Sequence, residues 1–178
     1  MLSPGTLTAI VIFQLLLGFV ALILAAFSAV CFGAEFAYGV VWWSLGWTLA
    51  TACLRWWAYD FGRSVVEQTV HLAFESFALI DWVVATGVLA ALNVRLNNLR
   101  KEYDFDVDHN IALTDELVTH QFAALGMGGL YCSYALNAIA GVIVVLFLIS
   151  ILDSFRLLRM SMRVAKNDVE KEYKYGYL

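Results

Sequence analysis

The chain has 178 residues, of which 62% are hydrophobic and 15% are charged, and its mean hydropathy is +0.76. An average soluble domain is about 45–50% apolar and about 25% charged, so a water-soluble globule of this length cannot hide so much apolar surface. The composition therefore indicates an integral membrane protein. The modest net charge of −4 gives no indication of nucleic-acid binding, which calls for basic clusters on a folded surface.

Four apolar runs are long enough to cross a bilayer, which takes about 20 mostly apolar residues. They cover about residues 7–32, 36–57, 70–92 and 122–152. Trp42, Trp43 and Trp47 lie near one end of the second run, and Trp56 and Trp57 lie at its other end. That pattern is typical of the aromatic belts at both membrane interfaces. We therefore predict an all-α, integral membrane four-helix bundle.

Beyond the fourth run, the chain continues to Tyr173 without Pro or Gly. Four cations at three- and four-residue steps share one face of a helix there: Arg156, Arg159, Arg163 and Lys166. We predict a transmembrane domain over residues 1–152 and a cytosolic amphipathic helix and tail over 153–178. Each cation near an anionic leaflet gains about 1 kcal/mol, so this face is a candidate surface for lipid headgroups. Alternatively, these cations serve only to fix the orientation of the helix in the membrane.

The distribution of Lys and Arg predicts the orientation. The second loop has two and the C-terminal tail has six, whereas the first loop has none and the three in the third loop are outweighed by six acids. The positive-inside rule then places both termini and the second loop in the cytosol. We expect a multi-pass protein of the plasma membrane or an endomembrane.

The third run has aromatic residues followed by small ones, in the order Phe74-Glu-Ser-Phe-Ala-Leu-Ile-Asp-Trp-Val-Val-Ala-Thr-Gly-Val-Leu-Ala-Ala-Leu92. This segment resembles the third helix of the MARVEL-type tetraspan proteins, especially the short fungal ones. The layout of four spans, a short first loop and a longer third loop is also similar to theirs. The resemblance implies membrane organisation, vesicle traffic or lateral domain formation, without catalysis or a cofactor.

Ionisable residues within the third run are candidates for function, because they are costly in a membrane. Glu75 and Asp81 are six residues apart and point about 120° from each other, so they do not form one two-carboxylate site. Glu67, His71 and Glu75 fall at i, i+4 and i+8 on one stripe, which could relay protons or contribute ligands to a metal. Alternatively, Arg55 pairs with the stripe and pins two helices together. We expect Asp81 to be protonated, because burial disfavours its charged form, with Asn137 or Gln14 as its hydrogen-bond partner.

Small and polar residues at four-residue spacing predict close helix contacts in lipid. The fourth run has such a stripe at Gly129, Ser133, Asn137 and Gly141, the third has Gly87 and Ala91, and the second has Gly46 and Ala50. Packing within the bundle and self-association into oligomers both explain them.

The third loop contains an acidic pattern that partly matches an EF-hand calcium loop, with Asp at positions 1, 3, 5 and 12. These residues are Asp104, Asp106, Asp108 and Asp115. His109 stands where the sharp turn demands Gly, and position 12 lacks the usual Glu. A plain solvated acidic loop is the alternative to a calcium site.

No sequence motif indicates an enzyme: a Gly-rich phosphate loop, His-Glu-x-x-His and Cys-x-x-Cys are all missing. We therefore expect a non-catalytic protein without cofactors that organises membrane domains or assemblies through helix packing and lipid contacts. Its partners would be lipids, copies of itself or other membrane proteins. Two alternatives are an accessory subunit of a larger complex, such as a transporter, pump or respiratory assembly, and a proton or ion carrier that uses Glu75 and Asp81.

Overall fold

A computed structural model describes residues 4–32, 35–60, 65–108 and 126–175 of the chain. Each of these segments is one α-helix: α1 (Pro4–Phe32), α2 (Glu35–Asp60), α3 (Val65–Asp108) and α4 (Gly126–Tyr175). The described chain is therefore all-α, as the sequence predicts.

Among the described residues, three helical segments are long and apolar enough to cross a membrane: Gly5–Phe32 in α1, Val65–Lys101 in α3 and Gly128–Val164 in α4. α2 is less apolar over its length, because Trp, Tyr, Ser, Thr and Gly interrupt its aliphatic residues. The three segments have the length and composition of membrane-spanning helices.

The four described helices form a ring in which each helix packs mainly against two neighbours. α1 packs on α2 and α4, and α3 packs on the same two helices. Cross-helix contacts show the directions. Asn93 meets Ser133 whereas Glu75 meets Ser150, so α3 and α4 are antiparallel. Tyr38 meets Ser133 whereas Arg55 meets Ser150, so α2 and α4 run parallel across the ring.

The core of the bundle combines large and small side chains. Its largest fully buried side chains include Trp82, Tyr38, Phe147 and Leu89. Alanines between them allow the helices to approach closely: Ala21, Ala25, Ala78, Ala85 and Ala140. A second buried group consists of Cys31, Phe32, Leu96 and Leu130 and extends the core toward the C-terminal end of α3.

α3 and α4 are longer than the apolar runs that identify them. α3 continues to Asp108, sixteen residues past the predicted end of the third run, and α4 continues to Tyr175. At about 1.5 Å per residue, α4 is about 75 Å long, more than twice the hydrocarbon thickness. Neither extension contains Gly or Pro until Gly176, and Leu96 is buried. Good helix formers and local packing therefore continue both helices beyond the apolar layer.

Candidate functional site

Glu75 is the centre of a polar cluster that joins three helices, and we call it the Glu75 cluster. Glu75 is only 2% exposed. The cluster consists of Arg55 from α2, His71 and Glu75 from α3, and Ser150 and Ser154 from α4. A carboxylate away from water is stable only where opposite charge and hydrogen-bond donors replace the solvent.

Both carboxylate oxygens of Glu75 accept hydrogen bonds. Ser150 Oγ donates to Oε1 at 2.6 Å, and Ser154 Oγ donates to Oε2 at 2.8 Å. Arg55 Nη2 lies 3.5 Å from Oε1, and Arg55 Nη1 donates to Ser150 Oγ at 3.2 Å. The structure thus brings Arg55 and Glu75 together and adds two serines from a third helix. The cluster fastens α2, α3 and α4 to one another.

His71 extends the cluster along α3. Its Nδ1 lies 3.6 Å from Glu75 Oε2, a charged contact only when the imidazole is protonated. Its Nε2 is buried and has no hydrogen-bond partner among the described residues. Within the described segments, no three His, Cys, Asp or Glu side chains gather as metal ligands. Glu67, His71 and Glu75 therefore do not form a three-ligand metal site among the described residues.

A second polar group lies near the opposite end of the bundle and consists of Tyr38, Asn93 and Ser133. We call it the Asn93 cluster. Ser133 Oγ donates to Asn93 Oδ1 at 2.6 Å, and Asn93 Nδ2 donates to the Ser133 carbonyl at 3.3 Å. Tyr38 O–H donates to Ser133 Oγ at 3.4 Å. α2, α3 and α4 are therefore joined at this end as well.

The two clusters are separated by similar lengths of helix in all three elements. Glu75 and Asn93 are eighteen residues apart, and both Arg55 to Tyr38 and Ser150 to Ser133 span seventeen. At 1.5 Å per residue these lengths correspond to about 26–27 Å. That spacing is close to the hydrocarbon thickness of a bilayer, about 30 Å.

Between the clusters, one polar contact joins α2 and α3. Trp82 Nε1 donates to Thr48 Oγ1 at 2.8 Å, and Thr48 Oγ1 donates to the Ser44 carbonyl at 2.9 Å. A hydroxyl that donates a hydrogen bond to a carbonyl of its own helix needs no acceptor from another helix. The indole N–H of the largest buried side chain is thereby satisfied.

The four residues of the predicted small-residue stripe of α4 have different surroundings. Gly129 is buried at α1, where a Cβ would lie 2.9 Å from Cys31 Cβ and from Phe32 Cε2, so this close approach requires glycine. Ser133 belongs to the Asn93 cluster. Asn137 is partly buried, and its Oδ1 has no hydrogen-bond partner within the described segments. Gly141 has open space around its Cα.

The paired small residues of α2 and α3 lie at the surface of the bundle. Gly46, Gly87 and Ala91 are exposed, and Ala50 is partly buried. A Cβ built on Gly46 or Gly87 would meet no heavy atom within 4 Å. Packing within the bundle therefore does not explain the glycines at these two positions.

Asp81 lies apart from both clusters. Its carboxyl is partly buried, and no residue in the described helices gives it a hydrogen bond or an ion pair. The structure does not bring it to Asn137 or Gln14, the two partners expected from the sequence. The Nε2 of Gln14 is buried and also lacks a hydrogen-bond partner among those residues.

The predicted basic face of α4 is outward. All four cations are exposed, and the opposite side of α4 carries the buried Asp153 and Leu158. At the same helical spacing toward the middle of α4, the outward face is apolar, with Val145, Leu148 and Leu152 exposed. One face of α4 therefore changes from apolar to basic between Leu152 and Arg156.

The acidic pattern proposed for calcium falls partly on α3. The backbone is helical through Asp108, so the first three aspartates are spaced along a helix and not along a loop. Asp115 and the remainder of the pattern lie outside the described residues. The calcium site stays a prediction.

Sequence reasoning missed Ser150 and Ser154 of the Glu75 cluster, and it missed Tyr38 and Asn93 of the Asn93 cluster. Ser150 and Ser154 are one turn apart at the end of the fourth run, and Asn93 follows the third run. A polar residue at the edge of an apolar run is a signal for such contacts, because hydroxyl and amide groups near hydrocarbon need partners. Which helices supply those partners depends on tertiary packing.

The chain was compared with family models, curated proteins and solved structures. None of these comparisons gives a match.

Proposed function

We propose that this chain is a non-catalytic four-span membrane protein that organises membrane domains or assemblies through helix contacts and lipid contacts. The observation that carries the proposal is the outward position of Gly46 and Gly87 on α2 and α3. Glycines on the surface of a membrane helix allow another helix to approach closely. The MARVEL-type resemblance stays a prediction that agrees with this role.

The matching separation of the two clusters supports four crossings. α2 contributes Tyr38 to one cluster and Arg55 to the other, over the same length as α3 and α4. A helix that contributes to both the Glu75 cluster and the Asn93 cluster extends across the same apolar layer as its neighbours. Trp56 next to Arg55 is 83% exposed, as expected of a side chain in an interfacial belt.

The basic face of α4 supports a cytosolic end at the Glu75 cluster. Its change from apolar to basic at Arg156 falls six residues, about 9 Å, beyond Ser150. Cations there lie at the level of lipid headgroups, and the positive-inside rule assigns them to the cytosol. We propose that both termini lie on that side and that Arg156 and Arg159 contact anionic lipids.

A second candidate function is favoured by Asp81, whose carboxyl has no partner among the described residues. An unpartnered acid in an apolar layer suggests a contact with a foreign chain. On this hypothesis the protein is an accessory subunit of a larger membrane complex. The proton-carrier alternative has less support, because Glu75 is already engaged by Arg55 and two serines.

Bulky substitutions at the outward glycines test the organising function. We expect the wild-type protein to crosslink to copies of itself in membrane vesicles, and we expect Gly46→Leu and Gly87→Leu to reduce that crosslinking several-fold, because a leucine holds the facing helix away. Ala138→Leu is the matched control, since Ala138 is exposed on α4. The readout is the fraction of crosslinked dimer and higher oligomer.

Three results of that experiment would contradict the proposal. The first is a wild-type protein that stays monomeric at all protein-to-lipid ratios. The second is crosslinking that neither glycine variant reduces. The third is an equal loss in the Ala138→Leu control, which would mean that added bulk anywhere on the surface disturbs the protein.

A further inference from the structure

Asp81 lies on the side of α3 that faces α2, next to a group of aromatic rings. Phe74, Phe77 and Asp81 follow at steps of three and four residues, which places them on one helical face. Trp47 of α2 contacts both phenylalanines, with ring centroids 5.6 Å from Phe74 and 5.8 Å from Phe77. Trp43 meets Trp47 edge-on at 6.3 Å. Asp81 thus lies on the same face of α3 as the phenylalanines that contact Trp47 of α2.

The side chains along this seam between α2 and α3 are exposed on the outside of the bundle. Trp43 is 64% exposed, and Phe77 and Val84 are each about half exposed. We call Trp43, Trp47, Phe77, Asp81 and Val84 the seam surface. Asp81 is six residues from Glu75, so it lies about 9 Å inside the level of the Glu75 cluster.

We propose that the seam surface docks a transmembrane helix of another protein, and that this helix carries a lysine or arginine opposite Asp81. The inference rests on the proposed membrane placement of the four helices. It goes further in naming the face and the chemistry of the partner.

Charge complementarity carries the assignment. A carboxyl in hydrocarbon is costly unless it pairs with a group of opposite charge. A lysine or arginine at the same depth restores the charged form of Asp81, and the attraction is strong where the surroundings are apolar. The indoles of Trp43 and Trp47 add π surfaces to the same seam, to which a cation is also attracted. An acid and aromatic rings on the seam surface therefore favour a basic partner.

A second copy of this chain cannot supply such a cation at that depth. The four helices contain no Lys, Arg or His within residues 7–32, 38–54, 76–94 and 133–152. Gly87, which the proposed self-contact uses, is six residues from Asp81 and is turned about 120° from it around α3. On α3 the Asp81 face and the Gly87 face therefore point in different directions, whereas on α2 Gly46 lies one turn from Trp43 of the seam surface.

The test uses synthetic transmembrane peptides as the probe. The full-length protein, labelled at its C-terminus with an acceptor dye, is placed in phosphatidylcholine vesicles with a donor-labelled Leu-Ala helix that carries one central lysine. Matched peptides carry leucine or glutamate at that position. We expect energy transfer to show that the lysine peptide binds about tenfold more tightly than either matched peptide.

Variants of the protein locate the binding. Asp81→Leu should lower the affinity for the lysine peptide about tenfold. Asp81→Asn keeps the shape of the side chain and should also weaken binding, because the amide carries no charge. Asn137→Leu is the control, since Asn137 is another polar residue within the apolar layer but lies on α4. It should bind the lysine peptide like the wild type.

Two outcomes overturn the proposal. One is equal binding of the lysine peptide to the wild type and to both Asp81 variants. The other is energy transfer between two labelled copies, without peptide, that Asp81→Leu abolishes, because the seam surface would then join copies of this chain. Self-association of the wild type measured without peptide tests the organising function separately, so either conclusion can fail alone.

Discussion

Glu75→Ala is expected to destabilise the bundle by about 3 kcal/mol, the order found when one partner of a buried ion pair is removed. The alanine leaves the Arg55 guanidinium without its carboxylate and removes the acceptor for Ser150 and Ser154. The serines can turn their hydroxyls to carbonyls of their own helix, but Arg55, only 22% exposed, keeps the Ser150 hydroxyl as a partner and loses its counter-charge. The measurement is unfolding of the purified protein in mixed micelles of increasing SDS content.

Three further variants, Glu75→Gln, Arg55→Ala and the double variant, separate charge from hydrogen bonding at this site. Glu75→Gln retains one oxygen that accepts from one serine, and its NH2 group can donate to the hydroxyl oxygen of the other, so we expect a loss of only about 1–2 kcal/mol. Arg55→Ala combined with Glu75→Ala forms a double-mutant cycle, and the two effects should be less than additive because the pair acts together. Strict additivity would show that Arg55 and Glu75 do not interact.

A proton flux in vesicles that Glu75→Gln abolishes without loss of stability would support the carrier alternative.

Trp82→Ala should also cost about 3 kcal/mol or more. Trp82 is fully buried and is the largest such side chain described. In lipid no hydrophobic force compensates for poor packing, so the loss comes from missing van der Waals contacts and from the hydrogen bond to Thr48. The same SDS titration measures it.

Trp82→Phe is the matched control for that variant. It keeps most of the ring volume and loses only the Nε1–H donor, so we expect a loss of about 1 kcal/mol or less. Thr48 still bonds to the Ser44 carbonyl in this variant. If Trp82→Phe were as damaging as Trp82→Ala, the hydrogen bond and not the packed volume would govern this position.

The number and type of the helices could be predicted from the sequence, because long apolar runs leave few alternatives. The ends of α3 and α4 could not. An apolar run marks the part of a helix that suits lipid, whereas the helix itself continues as long as its residues favour it. Leu96, Asn93 and Leu130 are buried at the end where the third run fades, and their packing extends α3 past the predicted boundary.

The partners of the polar residues could be predicted only in part. The pairing of Arg55 with the stripe that ends at Glu75 could be predicted from helical spacing and opposite charge alone. The contributions of Ser150 and Ser154 required knowledge of which face of α4 meets α3. For Asp81, neither expected acceptor is in reach, because the residue lies on the side of α3 toward α2.

The central claim is that all four helices, α2 included, cross the membrane. Protease protection in sealed vesicles tests it most directly, with a different epitope tag on each terminus of the full-length chain. Four crossings place both tags on the cytosolic side, so protease added to that side removes both together. Protection of one tag while the other is removed would mean an odd number of crossings and would contradict the claim.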